Sequence, residues 1–198
     1  MQLNLPPFDV RMGGTPTQPT IFDILRRKYV ALTPEEWVRQ HFIHYLIESK
    51  GYPASLLANE VKLKIGSKTL RADSVLYSTQ LSPRMIVEYK APNIKITQQT
   101  FDQIFAYNLL LKADYLVVSN GLSHYCCKLD ADSQKYVFFE DIPNYENLRQ
   151  NGKKTAVIFL DSFYLHYRAN QAPKTRNDIA QIGGLRQYRR DGHGRRAW

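Results

Sequence analysis

Between residues 33 and 119 the apolar period switches from helical to strand-like, back to helical, and to strand-like again, and few folds accommodate that alternation. Thr33-Pro34-Glu35-Glu36 reads as an N-cap, a proline at N1 and a glutamate at N3. Val38, Phe42, Tyr45, Leu46 and Ser49 follow at helical spacing, and Gly51-Tyr52-Pro53 stops the run, so a helix is expected over about 34–50. Asn59–Ile65 alternates apolar with polar residues, Gly66-Ser67 makes a turn, and Thr69–Tyr77 and Arg84–Lys90 read as two further strands. Thr97 caps a second expected helix over about 98–112, with Phe101, Ile104, Phe105 and Leu111 apolar. Asp114–Ser119 is a short apolar strand covered on both sides, followed by Asn120-Gly121, then strands at His124–Lys128 and Tyr136–Phe139. Helix, antiparallel strands, helix and buried strand together specify a mixed α/β domain over about 20–150.

The flanks read differently. Residues 1–19 carry Pro6, Pro7, Gly13, Gly14, Pro16 and Pro19, an irregular arm with at most a short strand at its start. Residues 152–198 hold 10 basic against 3 acidic residues, a net +7, whereas 1–151 hold 17 against 15, a net +2. A chain of 198 residues with net charge +9 thus has a nearly neutral body and a basic extension, 151–198, expected to be largely disordered although Ala156–Leu160 and Phe163–Tyr167 have strand character. A tail of this kind offers a loose electrostatic contact to an anion rather than a broad basic face.

Cys126 and Cys127 are neighbours and point to opposite faces of a strand, so they read as fillers; no Cys/His spacing suits zinc. No apolar run approaches the roughly 20 residues of a membrane helix, and the N-terminus has no signal-peptide pattern, so a cytoplasmic setting is the expectation. There is no phosphate-binding glycine loop of the ATPase type.

Chemistry concentrates in the β block. Arg71 and Asp73 share one strand face, Glu88 and Lys90 share another at i and i+2, and Gln103 lies on the following helix. If the two strands pair, Asp73 lies beside Glu88 and two carboxylates converge with one ammonium. Adjacent carboxylates repel unless a cation lies between them, and hard oxygens at that spacing suit Mg²⁺. The bland alternative makes Glu88 and Lys90 plain polar positions of a half-buried strand. Against it, Glu88 follows Met85-Ile86-Val87, where an unpartnered carboxylate is costly. Glu36 reads as the capping-box partner. Glu35 falls on the stripe of Val38, Phe42 and Leu46, as a site residue or as an acidic group favoured by the helix dipole. Arg71 either pairs with Asp73 or touches a phosphate, and Tyr107 lies one turn beyond Gln103.

The run Asp73, Glu88-Tyr89-Lys90 and Gln103 resembles the PD-(D/E)XK nuclease superfamily. Together with Thr33 to Gln40, Arg71-Ala72-Asp73 and Val87 to Pro92, it is similar to the N-terminal nuclease domain of type I restriction enzyme R subunits, over roughly 20–145. Ala72 stands where the superfamily pattern has proline, and the residues after about 150 match nothing in it. The resemblance implies a restriction-endonuclease-like mixed sheet flanked by helices and a Mg²⁺-dependent deoxyribonuclease, with Mn²⁺ as substitute. It implies Asp73 and Glu88 as metal ligands and Lys90, Glu35 and Gln103 as catalytic residues; Arg71 and Tyr107, read from their positions beside these, are the candidates for contact with the nucleic acid. The partners expected are DNA and the motor or specificity subunits of a restriction or repair complex. The alternative is a non-catalytic nucleic-acid or protein-interaction module that retains these residues.

Overall fold

A computed structural model describes residues 2–65, 68–130 and 136–149. The Gly66-Ser67 turn and the basic extension, with its strand-like stretches, lie outside the described residues.

Three short strands open the chain: β1 (Met12–Thr15), β2 (Gln18–Asp23) and β3 (Lys28–Ala31), all antiparallel. Part of the expected irregular arm is therefore sheet. The glycines and prolines that mark it as irregular serve the hairpin. Gly14 has φ +81°, and a Cβ there would meet the Gln18 carbonyl at 2.3 Å. Pro19 is near the start of β2, where a missing donor is tolerated, and its carbonyl still accepts from the Leu32 N–H at 2.9 Å. Asp23 closes the next turn by accepting from the Leu25 and Arg26 N–H groups, both at 2.9 Å. The arm's first residues are also anchored. Asn4 N–H donates to the Gly121 carbonyl at 2.7 Å, and Leu3 and Leu5 pack on the core.

α1 (Pro34–His44) begins where the cap predicts, with Thr33 Oγ1 accepting from the Glu36 N–H at 3.0 Å. It continues as a π-helical turn, Tyr45–Ser49, and ends before Gly51 at φ +74°. The main sheet then runs in spatial order β4 (Leu57–Ile65), β5 (Lys68–Tyr77), β6 (Pro83–Tyr89), β7 (Tyr115–Ser119), β8 (His124–Leu129) and β9 (Tyr136–Phe139). Only β6 and β7 are parallel, and α2 (Gln98–Leu111) is the crossover between them. A short α3 (Tyr145–Arg149) follows.

This is the expected mixed α/β architecture: the elements expected between 34 and 139 have bounds within two residues of those found, apart from the π-helical end of the first helix, whereas β3 and α3 are not expected from the sequence. Two helices cover the two faces because β6 and β7 are apolar at successive positions, not alternate ones. Val38 and Phe42 of α1 and Leu46 of the π-helical turn share a cluster with Met85, Val87, Tyr89, Tyr115 and Val117. The intervening Ile86, Leu116 and Val118 are buried toward the other face, where α2 brings Phe101 and Ile104. No helix among the described residues is long and apolar enough to cross a membrane.

Phe42 is fully buried, its ring 5.7 Å from those of Tyr45 and Tyr89. Phe42→Ala is expected to lower stability by about 3–5 kcal/mol in chemical denaturation. Leu109→Ala, at a position 80% exposed on α2, should change it by no more than about 0.5 kcal/mol.

Candidate active site

β5 and β6 pair with Ser74 opposite Val87, and continuing that register puts Asp73 opposite Glu88. The ladder stops there because the side chain takes over: Asp73 Oδ2 accepts the Tyr89 N–H at 2.9 Å. On its other side β6 stays tied to β7, with Lys90 N–H donating to the Ser119 carbonyl at 2.9 Å. Asp73, Glu88 and Lys90 are therefore set by main-chain pairing at the end of the two central strands.

Glu88 is only 3% exposed. Its Oε1 accepts from Lys90 Nζ at 2.8 Å and from Gln103 Nε2 at 2.6 Å. Gln103 Oε1 accepts a further bond from Lys90 Nζ at 3.1 Å, which closes a three-membered ring of contacts. Gln103 Nε2 also donates to the Tyr107 hydroxyl at 2.9 Å, using its second proton. α2 thus supplies a glutamine whose two ends match the acid and the base of the Glu-Tyr-Lys strand.

Burial and then the Asp73 charge push the Glu88 carboxyl up to about 7, against the pull of Lys90 and with a smaller push from Glu35. For Lys90 burial opposes the charge, but the bond to Glu88 and the charges of Glu88, Asp73 and Glu35 outweigh it and hold the ammonium above its ordinary value. Glu35 is exposed at the start of α1, yet its charge acts on both groups. The helical phase expected to put Glu35 on the buried stripe is not what the fold shows: Glu35 is exposed and its neighbour Glu36 is the buried one.

Behind Asp73 lies a network that sequence reasoning did not find. Arg39, with a side chain 7% exposed, donates from Nη2 to Asp73 Oδ1 at 2.8 Å and from Nη1 to Glu60 Oε1 at 2.8 Å and Glu36 Oε2 at 2.5 Å. Its guanidinium carbon is 5.6 Å from the centroid of the Tyr89 ring. Glu36 also accepts from Gln40 Nε2 at 2.7 Å and from Arg26, which in turn bonds Asp23. Asp23 accepts from Asn59 at 3.0 Å, and Asn59 from Ser74 Oγ at 2.6 Å. Burial works against the Asp23 charge, but backbone and side-chain donors prevail and hold its pKa low.

Two expectations change. Glu36 is not the reciprocal half of a capping box: Thr33 accepts its N–H, but its carboxylate turns inward to Arg39, Gln40 and Arg26. The signal was present in Glu36, Arg39 and Gln40 at i, i+3 and i+4. Arg71 does not pair with Asp73. It bonds Glu60 at 2.6 Å across the β4–β5 ladder and stays 61% exposed, because Arg39 already occupies Asp73. Tyr107 is buried, and its hydroxyl supports Gln103.

The donor set fits a hard cation. Asp73, Glu88 and Glu35 face Lys90, while Arg39 is shared among three carboxylates, so negative charge is in excess and Glu88 is left near neutrality. Among the described residues no group of three or more His, Cys, Asp or Glu side chains forms a complete cage. Mg²⁺ needs only one or two carboxylates and keeps its waters.

The family profile of the type I restriction enzyme R protein N terminus matches residues 34–143. Among solved structures, a fragment assigned to the HsdR subunit of a type I restriction enzyme from Vibrio vulnificus YJ016 is similar at 19% identity, with a TM-score of 0.43. The match covers 60% of this chain and 25% of that one, so the chain spans about a quarter of that relative's length. No curated protein matches.

Arg39→Met should cost about 3–5 kcal/mol in chemical denaturation, since it leaves buried carboxylates without their cation. Glu88 supplies a pH test. Its folded pKa of about 7 lies above the ordinary 4.5, so the folded chain holds that proton more tightly. Its contribution is complete below about pH 4.5 and is lost as pH rises toward 7. In buffer without divalent cations, the stability of the parent relative to Glu88→Gln should fall across that interval. A constant difference would show that Glu88 does not titrate there.

Proposed function

The chain belongs to the type I restriction enzyme R protein N-terminal family, and from that premise we propose that it is a nuclease domain hydrolysing phosphodiester bonds in DNA. The observation that carries the reading is the closed contact of Glu88, Lys90 and Gln103 beside Asp73. Asp73 and Glu88 would hold Mg²⁺ or Mn²⁺, with Glu35 at the same strand end. Such an ion supplies polarisation of a phosphoryl oxygen and a lowered pKa for its bound water.

The residues of the chain do the rest. Lys90 enters as an ammonium, because Glu88 reinforces its charge, and so it orients the attacking water and offsets charge developing on the phosphoryl oxygens rather than acting as a free base. Gln103 fixes the ammonium and the Glu88 carboxylate in one geometry, and Tyr107 fixes Gln103. Arg39 turns the Asp73 carboxylate toward the Tyr89 N–H. Water attacks phosphorus in line and releases a proton to solvent as the new P–O bond forms, the P–O bond opposite breaks, and the leaving oxygen takes up a proton from solvent. The partners in this reading are DNA and the motor or specificity subunits of a restriction complex, in the cytoplasm.

Incubation of the full chain with supercoiled plasmid tests it. Relaxed or linear product should form with Mg²⁺ or Mn²⁺ and not in chelator. Lys90→Ala should slow the reaction by about 10²–10⁴, and Lys90→Arg should not restore it fully, since a planar fork does not replace a compact ammonium. A Lys90→Ala protein that cuts at the parent rate would end this mechanism.

A further inference from the structure

The β4–β5 ladder is longer than the sheet that carries it. β5 pairs with β6 only from Ser74 to Tyr77, whereas β4 and β5 stay paired from Leu57 opposite Leu76 out to Ile65 opposite Lys68. The segment from Val61 to Ile65, with its partners from Lys68 to Ala72, has no third strand beside it. It is a two-stranded ribbon running beyond the end of β6. Five residues at about 3.4 Å each give it a reach of about 17 Å.

Residues directly opposite in an antiparallel pair share a face, as do residues two apart on one strand. Arg71 is two residues from Asp73 and opposite Lys62, and Thr69 is opposite Lys64. The ribbon face that continues from Asp73 therefore carries Arg71, Lys62, Lys64 and Thr69, all of them exposed. Glu60, at the root of that face, is already held by Arg39 and Arg71. Among the described residues Lys62 and Lys64 have no carboxylate at ion-pair distance.

We propose that this ribbon is a DNA-binding arm, in which Lys62, Lys64 and Arg71 hold the phosphates flanking the one presented to Asp73, Glu88 and Lys90. The proposal rests on the nuclease reading for the position of that central phosphate. Its own basis is the row of cations that leads outward from the carboxylates. Successive cations two residues apart are spaced by about 6.8 Å along the strand. The surface is anion-binding where the site beside it is anion-rich, so a duplex is pulled along the ribbon rather than onto the carboxylates. A two-stranded ribbon also fits the width of a major groove.

Exposed lysines on an edge strand have another use, which is to discourage edge-to-edge pairing. The salt dependence of binding separates the two. A short labelled duplex is titrated with the full chain by fluorescence anisotropy over a series of salt concentrations, without divalent cations. Each lost phosphate contact lowers the slope of log Kobs against log salt by roughly 0.9, so Lys62→Gln/Lys64→Gln should be shallower than the parent by about 1.8. Lys112→Gln/Lys128→Gln is the matched control. Lys128 is opposite Tyr115, at the far end of β7 from Ser119, and Lys112 just precedes that end. Its slope should equal that of the parent. An arm variant with the parent slope, or a parent that does not bind the duplex, would overturn the proposal. Cleavage is scored separately. A chain whose slope depends on the arm but which never cuts keeps the arm and loses the nuclease reading. A chain that cuts with an arm-independent slope does the reverse.

Discussion

Arg39 carries its charge into a space where its side chain is 7% exposed, and a guanidinium there is tolerable only if carboxylates meet it. Three do, from three different elements: Glu36 on α1, Glu60 on β4 and Asp73 on β5. That one group therefore clamps the first helix to the strands bearing the site. It also decides which way Asp73 points. With one oxygen on Arg39 and the other on the Tyr89 N–H, the carboxylate has little rotational freedom. The first sheet joins the same network through Asp23 and Arg26, so the arm that opens the chain is electrostatically continuous with the site.

The site itself is a balance left incomplete. Glu88 is deeply buried and has an ammonium and an amide on one oxygen, yet burial and Asp73 still raise its pKa to about 7. A fully compensated ion pair would have lowered it. A chain under selection for stability alone would have little reason to keep a buried carboxylate in that state, since an amide would remove the repulsion. The ribbon beyond β6 has the opposite imbalance: among the described residues its Lys62 and Lys64 have no carboxylate at ion-pair distance. These two imbalances are what the proposed cation site and the proposed DNA-binding arm rest on.

Much of this was legible in the sequence. The capping signal at Thr33, the shift of apolar period and the turn residues place the elements, because these are local effects of side chain on backbone. The meeting of Asp73 with Glu88 and Lys90 also follows from sequence, since a strand's period of two and antiparallel pairing leave little choice of register. Spacing alone gave Gln103 only as a polar group one turn from Tyr107, and it was the family resemblance that pointed to it as a site residue. The early hairpin was not legible: its glycines and prolines signal irregularity unless Gly14 is known to be in a turn at φ +81°.

What the tertiary structure decided is the choice of ion-pair partner. By sequence Arg71 is two residues from Asp73 and on its face, and Glu36 is the natural partner of Thr33. In the fold Asp73 goes to Arg39, Glu36 turns inward, and Arg71 is left with Glu60 and solvent. Local spacing ranks partners by distance along one element. Packing α1 against the sheet brings a buried cation from thirty-four residues away, and a desolvated charge outcompetes an exposed one for the same carboxylate.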